Sequence, residues 1–236
     1  MASVAVVLAL ASVPAEAQTP APLPAFFADV VRDYRNMVSW DTAQWLSIGG
    51  VGALFVAEAD EALRVATEDP DAPVVLALEG GDVYGNLTLQ LPLAVGWWAI
   101  SKASNSPRGV AAGRDLLRAQ ISAFSWTYAI KYAVDRERPN GDPRSFPSGH
   151  ASATFAAAMV LQQHYGWKAG LPSFAAATYT AASRITVNKH WASDVAFGAV
   201  VGMVAGRTVT IDLRHTRLAV TPMKVRGGAG VMFSSF

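Results

Sequence analysis

Residues 147–161 read PSGHASATFAAAMVL: proline, serine, glycine and histidine, then eleven residues, Ala151 to Leu161, without a charged side chain. Ser148 directly before such a run is a helix-start signal, because its hydroxyl accepts a hydrogen bond from a backbone N–H of the first turn. The Ala-rich run shows no alternation of period two, so it predicts a helix over 149–165 and not a strand. Gly149 and His150 would then offer unpaired backbone N–H groups at a helix N-terminus, where an anion is favoured. Taken by itself, the segment suits an ordinary capped helix with a surface histidine slightly better.

The same texture extends outward from Phe26 to Arg214, in long Ala-rich stretches with few β-branched alternations. Breaks fall at Pro70 to Pro73, Gly80-Gly81, Ser104 to Gly109, Pro139 to Pro147, Gly166 to Pro172 and Gly206. Between them helices are expected near 41–66, 86–103, 110–136, 149–165, 172–186 and 190–211, with a short amphipathic helix near 27–38. The fold class is therefore all-α, a single bundle of about six to seven helices. Past Leu218 two apolar triplets, Leu218 to Val220 and Val231 to Phe233, flank Gly227 to Gly230 and could form a small hairpin; the alternative is a frayed extension. At the other end, Val4 to Ala11 followed by Ala15-Glu16-Ala17 reads as a secretory signal peptide cleaved after Ala17. The expected organisation is a signal over 1–17, a Pro-rich linker over 18–25, a helical domain over 26–214 and an extension over 215–236.

Composition narrows the function classes. The 236 residues carry 19 basic and 18 acidic side chains, so no basic surplus argues for nucleic acid. Cysteine is absent, which removes disulfides, thiolate metal sites and a cysteine nucleophile, and fits an exported protein. Charged residues make up 16%, well below the roughly 25% of ordinary soluble domains, and 52% are hydrophobic. Yet no apolar stretch reaches about 18 residues without a polar interruption. The stretches are read as buried bundle helices in preference to membrane spans, and Trp40, Trp45, Trp97, Trp98 and Trp191 as core residues that would also suit contact with a membrane surface.

Two further segments carry candidate chemistry. Lys131 is followed seven positions later by Arg138-Pro139, and helical spacing of seven would aim both cations the same way as the helix stops at the proline. Downstream stand Ser183-Arg184, His190 and Asp194. A separation of four would let Asp194 accept a hydrogen bond from His190 on one helix, fixing the tautomer and leaving the other ring nitrogen as base or nucleophile. Each segment alone has a bland reading, a solvated helix end or a surface His–Asp pair. Together, three cations, a helix N-terminus, two histidines and an aspartate form the parts of a phosphoryl-transfer site that uses protein cations in place of a metal.

At these residues the sequence resembles the type 2 phosphatidic acid phosphatase and vanadium haloperoxidase superfamily, whose signature is K-x6-R-P, then P-S-G-H, then S-R-x5-H-x3-D. Lys131, Arg138-Pro139, Pro147 to His150, Ser183-Arg184, His190 and Asp194 meet all eleven fixed positions. One departure is the link from Pro139 to Pro147, seven residues where many members have more, read as a tight loop. The resemblance implies an all-α bundle with the site at one end. His190 would be the nucleophile, oriented by Asp194, and His150 the proton donor to the leaving group. Lys131, Arg138, Ser148, Gly149 and Arg184 would bind the phosphate oxygens. No metal or other cofactor is implied, and the partner is a phosphorylated small molecule or lipid met outside the cytoplasm or at a membrane.

Other readings compete. His150, His190 and Asp194 could form a two-histidine, one-carboxylate metal site, against which three nearby cations would act. Ser148 with His190 and Asp194 could be a hydrolase triad, but Ser148 lacks the G-x-S-x-G elbow. A haloperoxidase would hold vanadate in the same pocket, and a non-catalytic phosphate binder would not need the His190–Asp194 pair. Arg136 and Arg144 could widen the cationic mouth or bind a second phosphate but read first as solvated charge, Glu79 and Asp82 as turn residues, and His164 and His215 as surface histidines.

Overall fold

Ser148 does cap a helix: its backbone is extended, its hydroxyl accepts from Ala151 N–H, and the helix runs Gly149–Tyr165. The computed structural model describes residues 23–69, 71–78, 80–211, 218–225 and 228–235. In chain order the helices are α1 (Leu23–Met37), α2 (Trp40–Ala57), α3 (Asp60–Ala66), α4 (Pro73–Leu78), α5 (Gly81–Gly85), α6 (Leu87–Ala103), α7 (Pro107–Val134), α8 (Gly149–Tyr165), α9 (Trp167–Thr186) and α10 (Ala192–Val209). The all-helical class of this unit is as expected, but the expected six to seven helices are too few. The predicted helix over 41–66 breaks between Ala57 and Asp60, and the short helices α4 and α5 occupy 73–78 and 81–85, where no helix is expected. Conversely, α9 begins at Trp167 and runs through Pro172, which removes only one hydrogen bond from its second turn.

The expected signal segment lies outside the described residues, and α1 takes in 23–25, the last three residues of the expected linker. The C-terminal residues form a separate unit with two antiparallel strands, β1 (Leu218–Val225) and β2 (Gly228–Ser235), Leu218 opposite Ser235 and Val225 opposite Gly228. The turn of the expected hairpin, 226–227, lies outside the described residues.

The core is built from small residues. Ala94 of α6, Ala119 and Ala123 of α7, Ala156 and Ala157 of α8 and Ala205 of α10 pack with Leu116, Val160, Val204 and Val209. Small side chains let helix backbones approach closely, and α10 takes this furthest. Gly198, Gly202 and Gly206 recur every fourth residue and so form one stripe. A Cβ at Gly202 would lie 2.2 Å from Ser152 O, and one at Gly198 would lie 2.6 Å from Ser148 O. The stripe therefore seats α10 directly on the α8 backbone and brings the two helix N-termini together, which the site requires.

Two expectations about the apolar surface are corrected. α2 buries only Thr42, Gly49 and Ala53, while Ile48, Leu54 and Phe55 are each more than 70% exposed. α6 likewise buries Gln90, Ala94 and Ser101 and exposes Leu93 and Ile100. These helices turn small and polar residues inward and large apolar ones outward, so each is buried on one face only, and Trp40, Trp45 and Trp97 are exposed with them. Among the described residues one helix, α10, is long and apolar enough to cross a membrane, and 67% of it is buried. His164 is no surface residue either: it is buried in α8 with Nε2 2.8 Å from Asp115 Oδ2.

Candidate active site

Four helix ends meet here: the C-termini of α7 and α9 and the N-termini of α8 and α10. Ser148 N–H donates to Asp194 O at 2.9 Å, which ties the two N-termini to each other. Asp194 is fully buried at the third position of α10, where its Oδ2 accepts from Trp191 N–H at 2.9 Å.

His190 stands before that helix starts, with its N–H donating to Arg184 O at 3.1 Å. The expected pairing across one helical turn is thus corrected, because α10 begins at Ala192 and not at 190. His190 Nδ1 lies 3.7 Å from Asp194 Oδ2. Ser145 bridges the gap: its hydroxyl donates to Asp194 Oδ2 and sits 3.5 Å from His190 Nδ1. On its other oxygen Asp194 accepts from Arg136 Nη1 at 2.8 Å. Arg136 also donates to Ser193 Oγ and Asp60 Oδ2, and Asp60 accepts from Ser193 N–H at 2.9 Å. Arg136 is therefore part of the support of the His190–Asp194 pair and not a solvated charge.

The cations converge by a different route from the one expected. α7 ends at Val134 because Asp135 adopts a left-handed conformation, φ 46°, so Arg138 belongs to a loop and not to the helical face of Lys131. The link from Pro139 to Pro147 is tight. Arg138 N–H donates to Asp142 O, Gly141 turns at φ 86°, and Lys131 Nζ donates to Arg144 O at 2.7 Å and Ser145 O at 3.0 Å. Lysine has three donors, so one remains for a ligand. Arg144 packs over Tyr132, 4.7 Å from the ring centre. Arg138 Nε and Arg184 Nε are both buried without a hydrogen-bond partner. Orphaned charged donors of this kind are costly unless an acceptor arrives, and a phosphate oxygen is the matching acceptor.

Asp82, read from sequence as a turn residue, reaches the site. Its Oδ1 accepts from Arg184 Nη1 and lies 3.0 Å from His150 Nε2, at ion-pair distance but without hydrogen-bond geometry. His150 opens α8 beside Gly149, whose missing Cβ faces open space up to Thr127 Cγ2 at 3.9 Å.

Burial sets the protonation states. It lowers His190 to about 4, helped by the charges of Lys131 and Arg184 and opposed by Asp194. It lowers His150 to about 4 as well, with Arg184 assisting and Asp82 opposing. Burial, then the charge of Arg138, takes Lys131 down to about 8. On Asp194 burial acts upward, but the contacts from His190, Ser145, Trp191 N–H and Arg136 outweigh it and hold the carboxylate below its ordinary value. At neutral pH the site holds two neutral imidazoles, an ionised aspartate and charged guanidinium groups.

Two hollows open beside these groups. One, of about 130 Å³, is lined by Gly149, His150, Leu87, Phe124, Thr127 and Tyr128. The other, of about 300 Å³, lies against Lys131, Arg138, Arg144 and Tyr128. All eight residues singled out in the sequence are thus at or beside one place. Sequence reasoning missed Ser145, Arg136, Asp60, Ser193 and Asp82; only the position of Arg136 and Ser145 within the Lys131–Ser148 segment could have pointed to them. Among the described residues no three His, Asp or Glu side chains are grouped to share a metal ion.

Comparison with known proteins agrees with this geometry. Residues 120–217 match the family model described as the PAP2 superfamily. The chain is 42% identical over 82 residues to the lipid A 1-phosphatase of Porphyromonas gingivalis, covering 33% of this chain and 18% of that protein. It is 40% identical over 58 residues to the lipid A 4'-phosphatase of Helicobacter pylori, covering 25% of this chain and 29% of that protein. The match thus spans less than a third of either relative. In fold the chain is similar to the crystal structure of Aquifex aeolicus LpxE, with a TM-score of 0.54 at 20% identity over 64% of this chain and 93% of the other. It is also similar to the transmembrane PAP2 type phosphatidylglycerolphosphate phosphatase of Bacillus subtilis, with a TM-score of 0.57 at 18% identity over 82% of this chain and 97% of the other. The signature is complete and its residues gather at the junction of α7, α8, α9 and α10, the part of the chain where the match to the PAP2 superfamily model lies.

Proposed function

We propose that the protein is a metal-independent phosphatase acting on phosphomonoesters or pyrophosphates of lipids. His190 attacks phosphorus to give a phosphohistidine, while Asp194, directly and through Ser145, holds the ring proton on Nδ1 and leaves the other ring nitrogen free to react. His150 protonates the departing oxygen and then takes a proton from the water that releases phosphate. Arg138, Arg184, the remaining Lys131 donor and the Gly149 N–H hold the equatorial oxygens, with the Ser148 hydroxyl beside them. The observation that carries this reading is the pair of buried, unpartnered Nε donors of Arg138 and Arg184 next to the His190–Asp194 pair.

The lipid leaving group is supported by the outward apolar faces of α2 and α6, which suit contact with a membrane, and by the names of the two matched phosphatases. A site outside the cytoplasm follows the same line and accords with the cysteine-free sequence.

The test is phosphate release by the purified chain from a panel of lipid and soluble phosphates in excess EDTA, with vanadate as inhibitor. Turnover should persist in EDTA and vanish in His190→Ala. Bromide oxidation by peroxide after vanadate loading, without phosphate release, would instead favour a haloperoxidase. Retained phosphate binding with neither activity would favour a binding protein.

A further inference from the structure

We propose that Asp82 is a positioning residue of this site: its carboxylate, delivered by α5, holds Arg184 by Nη1 and stands 3.0 Å from His150 Nε2, fixing phosphate clamp and proton donor relative to each other. The inference rests on the phosphatase reading and extends it to a residue outside the signature.

The way α5 is seated supports a built arrangement. A Cβ at Gly81 would lie 2.6 Å from Ser183 Oγ and 3.1 Å from Thr180 Cα. One at Gly85 would lie 2.8 Å from His150 Cβ and 2.4 Å from Thr180 Cγ2. Both ends of this short helix are therefore pressed onto α9 and α8, the helices that carry Arg184 and His150, and Asp82 is the charged residue between them. The bond from Nη1 leaves the Nε–Nη2 edge of Arg184 for a phosphate, and that Nε is buried without a partner. Asp82 and a bound phosphate can thus share one guanidinium on two different edges.

The consequence falls on proton transfer. As the phosphorus–oxygen bond breaks, its electron pair goes to the leaving oxygen, which takes the proton held by His150. The charged groups facing His150 are Asp82 from α5 and Arg184 from α9, while Lys131 of α7 and Asp194 of α10 act on His190. Burial and Arg184 both disfavour a protonated His150, and Asp82 is the group that favours it. Without Asp82 the donor is harder to charge.

Asp82→Asn and Asp82→Glu in the full chain test this. His150 titration by NMR and the kinetics of an alkyl phosphate and p-nitrophenyl phosphate are the readouts. An aryl leaving group needs little proton donation, so Asp82→Asn should lower kcat on the alkyl ester by on the order of tenfold and on the aryl ester by clearly less. The His150 midpoint should fall, and Asp82→Glu should restore part of both effects. Equal losses on the two esters, an unchanged kcat with tighter phosphate binding, or an unmoved His150 midpoint would overturn the proposal. A wild-type chain inactive on both esters would strike the phosphatase reading, and the His150 midpoint would still decide whether Asp82 governs that histidine.

Discussion

Arg136 Nη1 donates to Asp194 Oδ1 at 2.8 Å, so the carboxylate beside His190 is held by a cation that the family signature does not include. The same guanidinium reaches Asp60 Oδ2 at 2.9 Å and lies over the Trp191 ring, 5.3 Å from its centre. One planar fork thus neutralises two buried carboxylates at once, which a lysine cannot match in geometry. Arg136→Ala should destabilise the fold by about 2 kcal/mol, reduced from the cost of breaking a fully buried pair because a third of Arg136 is exposed. In urea denaturation the midpoint should fall, and kcat should drop more than KM changes because Asp194 loses its orientation. Arg136→Lys should recover stability better than turnover.

Stability should depend on pH with a definite sign. His190 and His150 both titrate near 4 in the folded chain, against about 6.5 unfolded. Between those values the unfolded chain binds more protons, so stability is full above about 6.5 and falls as pH drops toward 4. For His190 alone the loss is on the order of 3 kcal/mol. Urea titrations between pH 4 and 7 should show it, and His190→Asn should flatten the slope; an unchanged slope in that variant would show that His190 does not contribute.

Catalysis should show limbs at the same groups. kcat/KM should decline through about 8 as Lys131 loses its charge; near 4 two opposed effects overlap, because His190 becomes a free nucleophile as His150 gives up its donor proton. Lys131→Arg keeps the charge at all accessible pH, so the alkaline limb should move up even if the plateau is lower.

Why these partners were hidden from the sequence follows from how they meet. The helix over 149–165, its Ser148 cap and the eleven signature positions are local signals, legible as spacing. The contacts of Arg136 with Asp60 and of Asp82 with Arg184 join residues 76 and 102 positions apart, and no periodicity encodes such a meeting. Local signals also misled where a cap intervened. Asp135 ends α7 before Arg138 and Asp194 opens α10 after His190, so two pairs with helical spacing are not on one helix. The outward apolar faces of α2 and α6 defeated the usual rule that large apolar residues are buried, because small residues fill their inner faces.

The glycine stripe of α10 gives a paired test of fold against chemistry. Gly202→Ala places a methyl group 2.2 Å from Ser152 O, where backbone must move to admit it. It should destabilise by about 2 kcal/mol or more and separate the N-termini of α8 and α10. Gly149→Ala meets its nearest neighbour, Thr127 Cγ2, only at 3.9 Å, so it should fold normally. Loss of turnover in that variant, with its thermal midpoint unchanged, would report on crowding of the phosphate-binding N–H alone.

Far from the chemistry, α1 is tied to α7 by a buried ion pair. Arg118 Nε donates to Asp33 Oδ2 at 2.7 Å, and its Nη1 donates to Asp115 Oδ1 at 2.7 Å. Asp33 is 1% exposed, so removing Arg118 strands a carboxylate in the interior. Arg118→Leu should therefore cost about 3–5 kcal/mol, and the double replacement Asp33→Leu with Arg118→Leu should cost less than the single one. Arg118 lies thirteen residues before Lys131 on one helix, roughly 20 Å along its axis. The folded fraction of the single variant should accordingly keep its kcat, while hydrogen exchange across 23–37 accelerates as α1 detaches. A fall in kcat at temperatures where the variant is folded would mean instead that the α1 anchor acts on the site through α7.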